Sequence, residues 1–187
     1  MKTNVLGMIA LFLLTFALSS CAPKEPKVLT VYFSHWGGTK ILAEMIHQEA
    51  GGDIFIIEPE TPYPQEGTHG VVQKHIEEDF LPPLKGKVEN LASYDVILIG
   101  TPNWFNTLSL PVKKFLKDND LAGKKVAPFA TYGGSVGETL NDIAKLCPQS
   151  ILLEGFAVSG DDAKGKTEEV RANVQAWISK IKAEFAK

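Results

Sequence analysis

Val28 to Thr39 reads VLTVYFSHWGGT. Val28 to Phe33 is a short run of apolar, β-branched and aromatic residues, the pattern of a strand buried on both faces. It breaks at Ser34-His35-Trp36-Gly37-Gly38. Ile41, Leu42, Met45 and Ile46 then recur at helical spacing until Gly51-Gly52 stops the helix. A buried strand feeding an amphipathic helix through a glycine turn is the first half of a βαβ unit, and it calls for parallel neighbours.

Those neighbours can be read further along the chain. Ile54 to Ile57 in DIFIIEP is a second buried strand. Asp95 to Gly100 (DVILIG) is a third. Lys125 to Thr131 (KVAPFAT) is a fourth, with Pro128 an awkward member. Ile151 to Val158 (ILLEGFAV) is a fifth. Helices fall between the later strands. Pro111 suits the first turn of a helix carrying Val112, Phe115 and Leu116 on one face. Ser135-Val136-Gly137-Glu138 has capping-box spacing and predicts a helix through Leu146. Val170, Val174, Trp177, Ile178, Ile181 and Phe185 form one apolar stripe. The long link between the second and third strands predicts a helix over Val71 to Phe80, cut off by Pro82-Pro83. Strands that alternate with helices and are apolar on both faces imply an α/β fold with a covered parallel sheet. Five strands suit the doubly wound order 2-1-3-4-5, in which ligands bind beyond the carboxyl ends of strands 1 and 3.

The chain has 187 residues, 44% apolar and 22% charged, with a net charge of −3. These values fit one globular domain. The scattered basic residues carry no footprint of a nucleic-acid binder. The first 20 residues differ in kind. Lys2 precedes the apolar run Val5 to Leu18, which is shorter than the roughly 20 residues of a spanning helix. Leu18-Ser19-Ser20-Cys21 follows. A charged start, an apolar core and small residues before a cleavage point make a secretory signal. LSSC resembles a bacterial lipobox, in which the Cys becomes the lipidated N-terminus; an ordinary or uncleaved signal is the alternative. The expected organisation is a signal peptide over 1–20, a linker over 21–26 and one domain over 27–187. By the same resemblance, Ala22 after Cys21 favours outer-membrane placement in a Gram-negative cell, with the domain facing the periplasm or exterior. Fully extended, the five residues Ala22 to Pro26 reach only about 17 Å, which keeps the domain close to the membrane. With Cys21 acylated, Cys147 is the one free thiol, and a buried structural role is expected for it.

Three loops fall at the carboxyl ends of strands 1, 3 and 4. Ser34 to Thr39 (SHWGGT) offers backbone amides at a helix N-terminus, hydroxyls and glycines that admit a close ligand, all suited to a phosphate. The same features also make a capped turn without a ligand. Thr101 to Asn106 (TPNWFN) puts Trp104 and Phe105 in a polar loop, where a flat ring could cover them or they could roof the core. Thr131 to Ser135 (TYGGS) adds an aromatic ring and flexible backbone, or a turn that needs glycine for geometry alone. His69 and His75 read as surface residues, and Glu77-Glu78-Asp79 as a solvated helix face. The sequence has no HExxH, CxxC or nucleophile-elbow motif, and no metal site is expected.

FSHWGGT, YDVILIGTPNW and FATYGGS, in this order, resemble the flavodoxin-like family, in particular the branch that includes NAD(P)H-quinone reductases. The resemblance runs from about Lys27 to the C-terminus. It implies the flavodoxin-like three-layer sandwich and FMN held without a covalent bond. By position, Ser34, His35, Trp36, Gly37, Gly38 and Thr39 would surround the phosphate. Thr101, Pro102, Asn103, Trp104, Phe105 and Asn106 would line one side of the flavin, and Thr131, Tyr132, Gly133 and Gly134 the other. The chain departs from the usual phosphate loop at Trp36 and Gly38, which removes two side-chain donors. It also has Phe105-Asn106 where one-electron flavodoxins carry Gly-Asp. The resemblance therefore implies a redox protein with no catalytic side chain, passing electrons through FMN to a small quinone-like acceptor, with a nicotinamide or a quinone as the candidate substrate. The alternatives are an electron carrier for a protein partner and a flavin-free binding module on the same fold.

Overall fold

The computed structural model describes residues 25–185. The expected signal segment, Cys21 and the start of the linker lie outside the described residues. Among the described residues, no helix is long and apolar enough to cross a membrane.

The main strands are β1 (Val28–Tyr32), β2 (Asp53–Ile56), β3 (Val96–Trp104) and β4 (Lys125–Tyr132), with a fifth, β5, made of two pieces (Ile151–Leu152 and Phe156–Ser159). All pair in parallel in the order 2-1-3-4-5. The fold is the doubly wound α/β sandwich read from the sequence. The helices are α1 (Gly38–Ala50), α2 (Thr68–Glu77), α3 (Leu110–Asp118), α4 (Thr139–Leu146), α5 (Gly160–Gly165) and α6 (Thr167–Phe185). Alternating side chains of β1 and β3 feed opposite layers. Leu29, Val31, Ile97 and Ile99 pack toward α3 with Val112, Phe115 and Leu116. Val28, Tyr32, Val96 and Leu98 pack toward α1 and α6 with Leu42, Ile46, Val174 and Ile178. Each such side chain, fully buried, contributes about 1.5–3 kcal/mol of transfer free energy.

Three local readings are corrected. The second strand is not buried on both faces: Ile54 is 39% and Ile56 is 49% exposed. It is the edge strand, and only Ile57, just beyond it, is fully buried. The fifth strand is broken. Val126 directs its carbonyl to Leu153 N at 2.9 Å. Pro128, two residues on, faces the same side and has no N–H to give. The fifth strand detours through Leu153-Glu154-Gly155 there and rejoins the ladder at Phe129↔Phe156. The capping box at Ser135 does not form. Gly137 takes a left-handed φ of 53°, and the helix begins at Thr139. The helix over Val71 to Phe80 is present but lies at Thr68–Glu77. Cys147 is buried, and burial pushes its thiol up to about 11, as suits a structural cysteine.

Across one face of the sheet, Tyr32, Gly100, Phe129 and Phe156 stand in register. A Cβ on Gly100 would lie 2.1 Å from the Phe129 ring, which is fully buried. Gly100→Ala should therefore cost at least about 1–3 kcal/mol through overpacking. Thr30 presents the opposite case. It is fully buried in β1, and its Oγ1 has no partner. Thr30→Val should raise stability by about 1 kcal/mol by removing an unpaired hydroxyl. Urea midpoints with unchanged slopes check both expectations.

Candidate functional site

The carboxyl ends of β1, β3 and β4 open on a cleft of about 390 Å³ lined by Trp36, Gly38, Thr39, His69, Pro102, Asn103, Thr131, Tyr132, Gly133, Gly160, Asp161 and Lys164. A recess of about 210 Å³ adjoins it, sharing Trp36, His69, Asn103 and Gly133 and adding Thr68, Val72, Trp104, Phe105 and Gly134. Residues from all three sequence-predicted loops thus meet at one sheet edge.

Gly37 is the N-cap of α1, with φ 86° and no side-chain capping bond. In the first turn the Lys40 amide donates to Ser34 Oγ at 3.1 Å. The opening amides of a helix have no intrahelical acceptor, and here Gly38 and Thr39 of the first turn line the cleft, at the positive end of the helix dipole. Turn geometry calls for glycine at Gly37, whereas Gly38 is needed for close contact: a Cβ there would lie 3.2 Å from Gly160 Cα. Thr39 and Thr131 are buried, with hydroxyls 2.7 Å apart. One donates to the other, so the pair keeps one hydrogen for a further acceptor, and both residues line the cleft.

The second loop is a hairpin. Asn103–Trp104 pairs with Thr107–Leu108, and Phe105 and Asn106 turn it with φ 52° and 63°. Both signs are those of a type I′ turn, which ordinarily selects Asn-Gly. Backbone and side-chain groups of α4 and its approach pin it. Asn103 Nδ2 donates to Val136 O at 2.8 Å and to Thr139 Oγ1 at 2.7 Å. Thr107 Oγ1 donates to Asp142 Oδ2 at 2.6 Å, and Glu138 N donates to Asn106 O at 2.8 Å. Thr101 is fully buried beneath the hairpin and accepts from Ser109 N at 3.0 Å.

Trp104 is 4% exposed, inside the core cluster, while Trp36 and Phe105 are 42% and 46% exposed. The rings that face the cleft are therefore Trp36 and Tyr132, with Trp104 below. Ser34 and His35 border a separate hollow of about 210 Å³ beside Tyr63 and Pro59. His35 Nε2 lies 2.9 Å from Thr68 Oγ1, which donates to Pro64 O. Burial lowers the His35 pKa, against a smaller opposing effect of the Pro64 carbonyl.

His69, Gly160, Asp161 and Lys164 were not among the expected site residues. His69 is exposed as read, but its ring stacks on Trp36 with centroids 5.8 Å apart. His75 is half-buried, not a surface residue, with Nδ1 3.1 Å from Tyr63 OH. Ser159-Gly160-Asp161-Asp162 carried a legible signal. A serine at the end of a strand followed by two acidic residues is a helix start, and Ser159 Oγ does accept from Asp162 N at 3.0 Å.

Residues 27–181 match the family model described as Flavodoxin. An NAD(P)H dehydrogenase (quinone) from Caulobacter vibrioides is 32% identical over 114 residues, 59% of this chain and 54% of that protein. The chain therefore spans about half the length of that curated relative. A candidate flavoprotein from Bacteroides uniformis is 28% identical with a TM-score of 0.69, over 83% of this chain and 99% of that one. A Lactobacillus acidophilus flavoprotein, solved in complex with FMN, shares the fold with a TM-score of 0.64 and 22% identity, over 76% of this chain and 98% of that one.

Asp142 ties the hairpin to α4. Lys145 and Thr107 hydrogen-bond its carboxylate and hold its pKa below the usual carboxylate range. A depressed folded pKa adds stability that is present at neutral pH and is lost as pH falls through that lowered value. Asp142→Asn should lower stability at neutral pH and flatten the acid limb of the stability profile. Urea midpoints from neutral pH into the acid range measure both.

Proposed function

The chain belongs to the flavodoxin family, and on that premise we propose that it binds FMN in the cleft and passes electrons from a nicotinamide donor to a small quinone-like acceptor. One observation carries this reading. The amide-rich start of α1 and the spare hydroxyl hydrogen of the Thr39–Thr131 pair converge on a cleft walled by Trp36 and Tyr132. That donor set fits a phosphate at one end and a flat ring along the walls. The quinone-dehydrogenase name of the Caulobacter relative and the FMN of the Lactobacillus structure agree with it.

FMN, when bound, supplies the redox chemistry. The chain's own residues bind and orient. Gly37, Gly38 and Thr39 would offer amides to the phosphate, which replaces the side-chain donors lost at Trp36 and Gly38 of the usual loop. The Phe105–Asn106 turn is pinned by bonds from Asn103, Thr107 and Glu138. A border fixed in this way favours two-electron transfer over service as a one-electron carrier. Leu18-Ser19-Ser20-Cys21 supports the further proposal of export and a lipid anchor on Cys21.

Titrating the purified protein with FMN should shift the flavin spectrum and saturate. Thr39→Val should weaken binding about tenfold to a hundredfold, the range for a hydrogen bond to a charged group. Protein that is colourless and leaves the FMN spectrum unchanged sinks the flavin reading. A prominent one-electron-reduced form during reductive titration assigns the protein to carrier service instead. For the anchor, Cys21→Ser should move the protein from the membrane to the soluble fraction.

A further inference from the structure

Running inward from Trp36 at the cleft wall is a set of aromatic side chains whose contacts with one another flavin binding does not use. Trp36, at the cleft wall, meets buried Trp104 with ring centroids 6.2 Å apart. Trp104 meets Tyr63 edge-on at 4.9 Å. The Tyr63 hydroxyl lies 3.1 Å from Nδ1 of half-buried His75, and His75 packs at 4.5 Å on Phe80, which is exposed. Indole and phenol are the aromatic side chains that most readily give up one electron, and these three form an unbroken contact path from the cleft to a base near the surface.

We propose that Trp36, Trp104 and Tyr63 form a hole-transfer chain that draws an oxidising equivalent out of the cleft and fixes it as a neutral radical on Tyr63, with His75 taking the phenolic proton. An oxygen-derived radical reaching the cleft takes one electron from Trp36 and leaves as its reduced, closed-shell product. Trp104 refills Trp36, and Tyr63 refills Trp104. As Tyr63 loses its electron, its O–H bond breaks and an N–H bond forms on Nδ1. The net change is one electron to the oxidant and one proton to His75.

The direction follows from hydrogen bonding. Trp104 Nε1 is buried with no acceptor, so an oxidised Trp104 has nowhere to place its proton and passes the hole on. Tyr63 has an acceptor in His75 Nδ1 when the imidazole carries its proton on Nε2. Burial pushes its phenol up to about 12, so the proton leaves only as the electron does. His35 sits between, 6.0 Å from Trp104 and 6.5 Å from Tyr63. Its burial favours the neutral imidazole, which sets no positive charge against the hole. Tyr132 also lines the cleft, but no base accepts from its hydroxyl among the described residues.

The chain needs no bound flavin, so a failed FMN titration leaves it standing. The test is flash generation of carbonate radicals, below stoichiometry, on the full-length protein without added cofactor. Electron paramagnetic resonance with ring-deuterated tyrosine identifies the radical. The expected result is a tyrosyl signal that disappears in Tyr63→Phe and gives way to a tryptophan radical. Trp36→Phe, a change at an exposed position, should lower the Tyr63 yield severalfold. Trp104→Phe and His75→Gln should do the same where they fold. A tyrosyl signal that survives Tyr63→Phe overturns the proposal, and so does a Tyr63 yield undiminished by Trp36→Phe.

Discussion

The hydrogen bond between the buried hydroxyls of Thr39 and Thr131, 2.7 Å long, joins the start of α1 to the end of β4, and the cleft exists because those two places are held together. A parallel sheet brings all its carboxyl ends to one edge, but it does not fix how closely the loops beyond that edge approach. Here the approach is set by three small contacts. Thr39 meets Thr131, Gly38 meets Gly160, and Gly100 leaves room for the Phe129 ring in the row of side chains just below. The first is polar and the others are steric. All would be disturbed by changes of a single methyl group, because packed interiors have little slack.

The parts of the fold that were legible in the sequence are those where burial alone decides. VLTVYF and VILIG are buried throughout, so their composition announces them. The stripe from Val170 to Phe185 is buried at every position read for it. The reading failed where an element's neighbour decides instead. Ile54 and Ile56 are as apolar as central-strand residues, yet they stand on an edge strand that the helices do not cover. Pro128 looked awkward within its own strand, but its cost falls on the next one, where a ladder bond has no donor. Ser135 and Glu138 had the right spacing for a cap. The chain instead turns left-handed at Gly137 and uses the Val136 carbonyl to hold Asn103 and Thr139.

The candidate site divides in the same way. Its glycines, hydroxyls and loop positions were legible because a phosphate or ring edge requires those residue types wherever it binds. The roles of the aromatic residues were not. A tryptophan in a polar loop reads the same whether its ring faces a ligand or the core, and Trp104 faces the core while Trp36 stands at the wall. His69 and His75 looked alike in sequence. One stacks on Trp36 and the other meets the Tyr63 hydroxyl, contacts formed only once α2 packs across the loops.

Phe105 shows how the site is held together energetically. A bulky residue at φ 52° is disfavoured by about 1–2 kcal/mol, and Asn106 after it is also left-handed. Such a turn persists only when its surroundings over-determine it. They do: the Asn106 carbonyl is fixed from Glu138, the flanking Asn103 and Thr107 side chains are fixed from Val136, Thr139 and Asp142, and Thr101 anchors the strand below. A glycine would satisfy the same turn with less strain, but it would leave the recess beside Trp104 without the Phe105 ring as a wall. The strain at Phe105 is thus tied to an aromatic surface at the cleft edge, and the polar bonds from α4 keep that surface in place.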